Sequence, residues 1–211
     1  GVIVNSEIPY QKYNIKHQIY KPTSFTIPSD FSNLALLLSA NVLLGDGLII
    51  DISLGDMPQG DEAIIDILEE LGVTVTLNEN EISTKSPKML DGGKFDLGDT
   101  PDLLPALAIL SLKSSKPIEI FNVKHARYKE TDRIAVISRE LKKIGVDVEE
   151  NDDGMILKPT QKFNASELNS ENDHRLFMAF SIVAMYIGDC IVTDPDSVGV
   201  SYPNFIKDMK N

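Results

Sequence analysis

Charged side chains cluster in the segment HARYKETDRI at residues 125–134. Lys129, Glu130 and Arg133 are its side chains best suited to chemistry, because an arginine offers a rigid fork for an anion and a carboxylate can transfer a proton. An apolar stripe with helical spacing follows at 134–144, so the three lie on adjacent faces of a first turn if the helix begins at Lys129. A solvated charged face with an ordinary Glu130–Arg133 pair has the same pattern, and both interpretations stay open here.

Arginine is rare in this chain, which has 16 lysines but only four arginines. Three of the arginines lie within residues 127–139, and the fourth is Arg175. It follows Asn172, which can cap a helix that is apolar almost all round from Leu176 onward and is therefore expected to be buried. A guanidinium at the beginning of a buried helix needs a partner anion. That partner is either a neighbouring carboxylate or a ligand.

The N-terminus of a third predicted helix also carries polar residues. Thr100 is its candidate cap, Pro101 takes the first helical position and Asp102 lies in the first turn. Asp102 can act as a base, or it can merely complement the helix dipole. The beginnings of helices carry partial positive charge and free N–H groups, which suit phosphate and carboxylate ligands. If the three helix beginnings gather on one face, an acidic protein can still bind an anion there.

The elements that carry these residues belong to a repeat with a period of 71 and then 73 residues. Its marker is a glycine, at Gly1, Gly72 and Gly145, followed by an alternating strand, a polar turn and a second strand. In the second and third copies a helical pattern ends just before the glycine, as expected at a helix C-terminus. Strands and helices alternate between the hairpins, which predicts an α/β fold of βαβαββ units.

The predicted hairpins occupy 1–17, about 73–85 and about 146–158. The predicted helices lie at about 30–43, 60–71, 102–114, 131–144 and 173–187, with another beginning near Pro203. Single strands are predicted at about 47–52, 117–121 and 190–193. The first hairpin has no helix before it and the last helix has no hairpin after it, so we expect a piece of a longer chain; irregular terminal repeats are the alternative.

Composition limits the possible functions. The chain has 211 residues, 42% of them hydrophobic, and a net charge of −12, which argues against a general nucleic-acid surface. It has no apolar run of membrane-spanning length, and we expect no membrane association. The single Cys190 cannot form an internal disulfide, so a cytoplasmic setting is expected.

Five segments resemble motifs of the EPSP synthase family. Residues 125–134 resemble its R-x-K-E-[ST]-D-R motif, NDHRLFMAF at 172–180 its D-H-R-x-x-M-A motif, and TPDLLP at 100–105 the stretch that carries its acid–base aspartate. VSYPNF at 200–205 is similar to its closing K-[ST]-[FY]-P-x-F, and IPSDFSNLA at 27–35 to a weaker G-D-x-S-S-A. The order and spacing also agree, so the resemblance covers nearly the whole chain and corresponds to the second half of a family member.

This resemblance implies two domains, each a pseudo-threefold arrangement of βαβαββ units with parallel inner helices. On that basis residues 1–22 are the tail hairpin of a preceding unit or crossover. Residues 23–211 are then a truncated C-terminal domain with units at about 23–87, 94–159 and 160–211. The covalent partner would be the missing N-terminal domain, and the full-length protein is expected to be monomeric.

The resemblance also implies a reaction between phosphoenolpyruvate and shikimate 3-phosphate that yields 5-enolpyruvylshikimate 3-phosphate and phosphate, with no metal or organic cofactor. By position, Asp102 would hold the 5-hydroxyl group and accept its proton, and Glu130 would protonate the methylene carbon. Substrate binding falls to basic side chains: Lys129, Arg133, Arg175 and, more weakly, His125. The isolated chain, with half of such a site, is expected to fold but to be inactive.

Val200 departs from the family, which has a lysine there that helps to hold phosphoenolpyruvate, so either affinity is lower or another cation substitutes. One alternative is an enzyme like UDP-N-acetylglucosamine 1-carboxyvinyltransferase, but that enzyme lacks the KETDR sequence at 129–133. The RNA 3′-phosphate cyclase family shares only the fold, and the acidic charge argues against it. A non-catalytic binding module is the remaining alternative; Val200 favours it, and the intact acidic and basic motif residues oppose it.

Overall fold

The computed structural model describes residues 2–9, 11–45, 47–55 and 58–210. It begins with an antiparallel hairpin of two exposed strands, β1 (Asn5–Ile8) and β2 (Lys12–Asn14). None of the described residues before Phe31 is buried. The hairpin predicted for the first segment is confirmed, although Gly1 lies outside the described residues and the division of the chain at residue 22 stays a prediction.

Three α/β units follow the hairpin. The first contains α1 (Phe31–Leu44), β3 (Ile49–Asp51), α2 (Ile64–Glu70), β4 (Thr74–Leu77) and β5 (Glu81–Lys85). The second contains β6 (Gly93–Asp96), α3 (Leu104–Leu110), β7 (Ile118–Phe121), α4 (Arg133–Lys143), β8 (Asp147–Asn151) and β9 (Gly154–Lys158). The third contains β10 (Glu167–Leu168), α5 (His174–Ile187), β11 (Ile191–Val192) and α6 (Phe205–Asp208). Within the described ranges, no helix combines the length and the apolar composition needed to cross a membrane.

The sheets show that the units repeat one pattern. In the second unit the strand order is β6-β7-β9-β8, with β6 parallel to β7 and β9 antiparallel to both β7 and β8. The first unit's β3-β5-β4 sheet reproduces the β7-β9-β8 part. The third unit's parallel β10 and β11 reproduce the β6–β7 part. These correspondences confirm the predicted α/β fold of βαβαββ units.

Three helices, α1, α3 and α5, pack against one another at the centre of the fold. Every residue of α3 is buried, as are most residues of α1 and of the first part of α5. This burial explains why the three sequences are apolar on nearly every side. Their beginnings also lie together, since Arg175 in α5 contacts Ser32 in α1 and Asp102 just before α3. The inner helices therefore run in the same direction, with their N-termini at one end.

The helix α4 begins later than the pattern predicts. Asp132 accepts a hydrogen bond from the Ala135 backbone N–H at 3.0 Å and caps the helix, so that Arg133 is its first residue. Lys129 has an extended backbone. The condition under which Lys129, Glu130 and Arg133 would share one helical turn, a helix that begins at Lys129, is therefore not met.

The caps of the other two helices also differ from expectation. Asp173, not Asn172, caps α5, because its carboxylate accepts from the backbone N–H groups of Arg175 and Leu176 at 2.9 and 3.3 Å. Asn172 has a left-handed backbone, with φ of 61°. Thr100 precedes a short 3-10 turn that leads into α3, but its side chain makes no capping hydrogen bond.

The repeated glycines end α2 and α4 in the same way. Gly72 and Gly145 have φ of 87° and 99°, which an L side chain rarely adopts. The Gly72 N–H donates to the Glu69 carbonyl at 2.9 Å, and the following residue donates back to Leu68 at 2.9 Å. The same two bonds recur at Gly145, at 3.0 and 3.1 Å. Both helices end in the glycine motif that the sequence predicts.

A Gly72→Ala substitution is expected to lower the free energy of unfolding by about 1–2 kcal/mol, because alanine resists the left-handed conformation. An added Cβ would meet its nearest neighbour, Asp91 Oδ2, at an ordinary 3.5 Å, so the cost is conformational. Urea unfolding followed by circular dichroism measures it. Gly199→Ala is the matched control, since a Cβ there meets nothing within 4 Å. Equal losses in the two variants would contradict this interpretation.

Candidate active site

A buried arginine forms the centre of the site. Arg133 has only 1% of its side chain exposed. It donates to three carboxylates, from Nε to Asp173 Oδ2, from Nη1 to Asp102 Oδ1 and from Nη2 to Glu130 Oε2, each at 2.7 Å. Burial disfavours the charged form, but Asp173, with the charges of Glu130 and Asp102, raises the pKa of Arg133 above its usual value. One guanidinium thus connects the beginnings of α3, α4 and α5.

The loop before α4 is held in place by Arg127. Its Nη1 donates to both carboxylate oxygens of Asp132, at 3.1 and 2.9 Å, and its Nη2 donates to Glu150 at 3.0 Å. Asp132 also caps α4, and Glu150 lies on β8. The β8–β9 hairpin therefore anchors the loop that presents Lys129 and Glu130.

Three cations converge on Asp102. Its carboxylate oxygens lie 2.7 Å from Arg133 Nη1, 3.3 Å from Lys129 Nζ and 3.8 Å from Arg175 Nη2. Burial raises the pKa of Asp102, but the positive charges of Arg175, Arg133 and Lys129 outweigh it, so the pKa falls below the usual 3.8. The carboxylate is therefore ionised at neutral pH. With 28% of its side chain exposed, it can accept a proton from a hydroxyl group placed beside it.

Arg175 retains an unused donor. Its Nη2 donates to Ser32 Oγ in the first turn of α1 at 2.7 Å. Its Nη1 is buried and, among the described residues, has no hydrogen-bond partner. The sequence analysis left two possible partners for Arg175, a carboxylate or a ligand. Asp102 supplies a carboxylate near Nη2, at 3.8 Å, but not at Nη1. Buried donors nearly always have an acceptor, so Nη1 is a donor at the helix beginnings that a water molecule or an anionic ligand would satisfy.

The remaining predicted positions lie further out. His125 is exposed in the 3-10 turn Lys124–Tyr128 and makes no hydrogen bond or ion pair with any described residue. Val200 is 75% exposed. The next residue, Ser201, accepts a hydrogen bond through its carbonyl oxygen from Asn33 Nδ2 at 3.3 Å, so position 200 lies beside the beginning of α1.

Sequence reasoning missed two acidic residues at the site. Asp173 is fully buried and binds Arg133 through both carboxylate oxygens, the second bond being 3.2 Å long. Asp61 lies in the turn before α2; burial, followed by the negative charge of Asp102, raises the pKa of Asp61. The signal for Asp61 was the repeat itself, because the turn before α2 corresponds to the loop before α4 that carries Glu130.

Two solved structures with this fold are an EPSP synthase and an enolpyruvyl transferase. An EPSP synthase from Acinetobacter baumannii superposes with a TM-score of 0.79 at 25% identity, covering 98% of this chain and 51% of that one. The enolpyruvyl transferase NikO from Streptomyces tendae superposes with a TM-score of 0.73 at 18% identity, covering 100% and 49%, and this likeness concerns the fold alone. The fold thus defines a domain of the EPSP synthase-like, enolpyruvyl transferase type.

The sequence profile of EPSP synthase (3-phosphoshikimate 1-carboxyvinyltransferase) matches residues 2–209, and the chain belongs to this family. Relatives of that name include one from Nitrosopumilus maritimus, 62% identical over 99% of this chain, and one from Methanococcus maripaludis strain C5, 38% identical over 98%. A third, from Methanocaldococcus jannaschii, is 36% identical over 92%. The chain spans about half the length of these curated relatives, with 50%, 49% and 46% of each covered.

An Asp173→Ala substitution is expected to lower the free energy of unfolding by about 3–5 kcal/mol, because it leaves a buried guanidinium without its main partner. Urea unfolding measures the change. Asp91→Ala is the control: Asp91 pairs with Lys116 at 3.1 Å, but 58% of its side chain is exposed, and its loss should cost less than about 1 kcal/mol. A small effect at Asp173 would mean that Arg133 is not stabilised through that contact.

His174 makes stability depend on pH. The residue is 5% exposed, and burial, followed by the charge of Arg175, lowers the pKa of His174 below 6.5. The unfolded chain therefore binds the proton at a higher pH than the folded chain, so this contribution to stability is complete above about pH 6.5 and is lost as the pH falls. Between about pH 7 and pH 5, we expect a smaller loss of unfolding free energy in His174→Gln than in the parent chain. His125→Gln, at an exposed side chain, should follow the parent.

Proposed function

We propose that this chain, joined to a second half of the kind its relatives have, transfers the enolpyruvyl group of phosphoenolpyruvate to the 5-hydroxyl group of shikimate 3-phosphate and releases phosphate. The observation that carries the proposal is the convergence of Lys129, Arg133 and Arg175 on Asp102 at the N-termini of the inner helices. The relatives, at up to 62% identity, are named for this reaction.

Phosphoenolpyruvate is bound by the cations of the cluster. Arg175 offers a planar fork that matches carboxylate and phosphate oxygens, and its Nη1 is a buried donor without a protein acceptor among the described residues. Arg133, the other arginine predicted to bind this substrate, donates to three carboxylates and is 1% exposed, so it contributes its positive charge and not a free fork. Lys129 adds a third positive charge near the reacting centre. Because position 200 holds valine instead of lysine, these three side chains carry the anion binding of this half.

The first chemical step joins the two substrates. Ionised Asp102 accepts the proton of the 5-hydroxyl group as that oxygen attacks the central carbon of phosphoenolpyruvate. Glu130, 2.7 Å from Arg133 and 46% exposed, donates a proton to the methylene carbon, which becomes a methyl group. The product is a tetrahedral adduct that still carries phosphate, and Arg133 and Lys129 stabilise its charge.

The second step reverses the proton movement at carbon. The bond between the central carbon and the phosphate oxygen breaks, and a methyl proton returns to the Glu130 carboxylate. The carbon–carbon double bond forms again, and the leaving phosphate takes the proton that Asp102 received, which returns Asp102 to its ionised form. Glu130 thus acts first as an acid and then as a base, which suits a side chain that is partly exposed and hydrogen-bonded to a single guanidinium in this half.

The remaining features of the proposal follow the family resemblance. The full-length protein acts in the cytoplasm as a monomer, without a metal, an organic cofactor or a nucleic-acid partner. His125, which makes no contact with the cluster, is a weaker substrate contact than the other five predicted residues.

The decisive assay is phosphate release by the full-length protein with phosphoenolpyruvate as donor. We expect turnover with shikimate 3-phosphate and none with UDP-N-acetylglucosamine. Glu130→Gln should lower kcat by about 10²–10⁴, the usual contribution of a positioned proton donor. Glu149→Gln is the matched control, since Glu149 lies on β8 with 57% of its side chain exposed and only a distant contact to Lys158, at 3.9 Å.

Three outcomes would contradict the proposal. Turnover with the UDP-sugar alone would identify the other enolpyruvyl transfer reaction. A folded full-length protein inactive with both acceptors would indicate a binding module. Turnover by the 211-residue chain alone would show that the second half is not needed for catalysis.

A further inference from the structure

Helix α4 carries a second buried charge, two turns after Arg133. Glu140 is fully buried and follows Arg133 by seven positions, so both lie on one face of the helix. A buried carboxylate is costly unless it is paired and hydrogen-bonded. The reaction proposed above makes no use of Glu140, so its burial calls for another explanation.

The partners of Glu140 come from its own helix and from the segment after β10. Its Oε1 accepts from Arg139 Nε at 2.7 Å, and its Oε2 accepts from Lys143 Nζ at 2.6 Å and from the Asn169 backbone N–H at 3.0 Å. Burial raises the pKa of Glu140, but these hydrogen bonds outweigh it and lower the pKa, so the carboxylate is charged. The contact with Asn169 ties α4 to residues 169–173.

The segment 169–173 has a strained backbone. Glu171 and Asn172 have φ of 51° and 61°, two consecutive left-handed residues that are not glycine. Such conformations are unfavourable for residues other than glycine and persist only where the surroundings hold them. Besides the Glu140 contact, Arg139 Nη2 donates to Glu171 Oε1 at 2.8 Å, and Asp194 accepts from the Asn172 backbone N–H at 3.2 Å.

The strained segment ends at Asp173, which contacts both arginines of the site. Asp173 binds the Arg133 side chain and caps the helix that begins with Arg175 in its first turn. Helix α4 therefore holds this segment at three points: Glu140 at Asn169, Arg139 at Glu171 and Arg133 at Asp173. Among these three, the Glu140 contact is the one made by a fully buried side chain to the backbone of the segment. A shift of Asn169 would move Asp173 and change the direction of both guanidinium groups.

We propose that Glu140 is a positioning residue for the anion-binding arginines: by anchoring Asn169 it keeps the strained segment in the conformation that aligns Asp173 with Arg133. The effect of Glu140 on catalysis rests on the function proposed above, whereas its effect on the Arg133–Asp173 contact does not.

The test uses the full-length protein with Glu140→Met and Lys143→Met together. Glu140→Met removes the buried charge itself, and Lys143→Met removes one of its two cationic partners. The other partner, Arg139, is 46% exposed and keeps its pair with Glu171, so no buried charge is left unpaired, while the acceptor for the Asn169 N–H is lost. The first readout is hydrogen exchange of the Arg133 Nε–H, identified in nitrogen-15 spectra by its absence in Arg133→Lys. We expect this proton to exchange at least about tenfold faster than in the parent, and kcat/KM for phosphoenolpyruvate to fall at least about tenfold.

The matched control is Glu149→Met with Lys158→Met, an exposed pair on the β8–β9 hairpin, which should leave both readouts unchanged. Glu140→Gln keeps an acceptor for Asn169 and should give values between the parent and the double variant; it also decides the question if the double variant does not fold. Unchanged Arg133 exchange in a folded Glu140 variant would overturn the proposal, whatever happens to activity. If the parent protein lacks turnover, the proposed function fails, and the exchange measurement still decides the role of Glu140.

Discussion

The burial of one guanidinium constrains the rest of this domain. Arg133 is almost completely removed from water, and an unpaired charge there would be prohibitively costly. Its donors therefore require carboxylates from separate parts of the chain, namely Asp102 before α3, Glu130 before α4 and Asp173 before α5. Satisfying them in one place brings the beginnings of these helices together, so the arrangement that the buried charge requires is also the one on which the proposed anion binding depends.

The repeat explains how an acidic chain can offer such a site. The net charge of −12 would repel a phosphorylated substrate if it were spread evenly over the surface. Parallel inner helices instead direct their positive ends and three basic side chains to one place, where field lines are focused. Acidic residues nearby, Asp61 and Asp173 among them, offset part of this positive charge. The cations stay ionised.

Burial divides the site into a support and a reacting surface. Arg133 and Asp173 lie inside, with 1% and 0% of their side chains exposed, whereas Asp102 and Glu130 are 28% and 46% exposed. The groups assigned to proton transfer therefore face outward from a rigid base. A chain about half the length of its relatives, with its reacting groups on an open surface, fits the proposal that a second half closes over them.

The sequence by itself determined most of the secondary structure, because periodicity and glycine placement are local, but it predicted neither the strands β6 and β10 nor the cap of α5. It correctly predicted each inner helix, both later hairpins and the glycines that end α2 and α4. It also identified five side chains that the structure brings together, through their motifs. It did not reveal that α4 begins at Arg133, since that start depends on Asp132 being held by Arg127 and the distant hairpin.

Only the tertiary structure decided which partners the charges have. Asp173 lies 40 residues from Arg133 in the sequence, and Glu140 lies 29 residues from Asn169. Asp61 comes from another unit and lies close enough to Asp102 for its pKa to be raised. No local pattern specifies such pairs. A buried charge takes its partners from segments that are adjacent only after the core has formed, and the cost of leaving it unpaired then selects one arrangement.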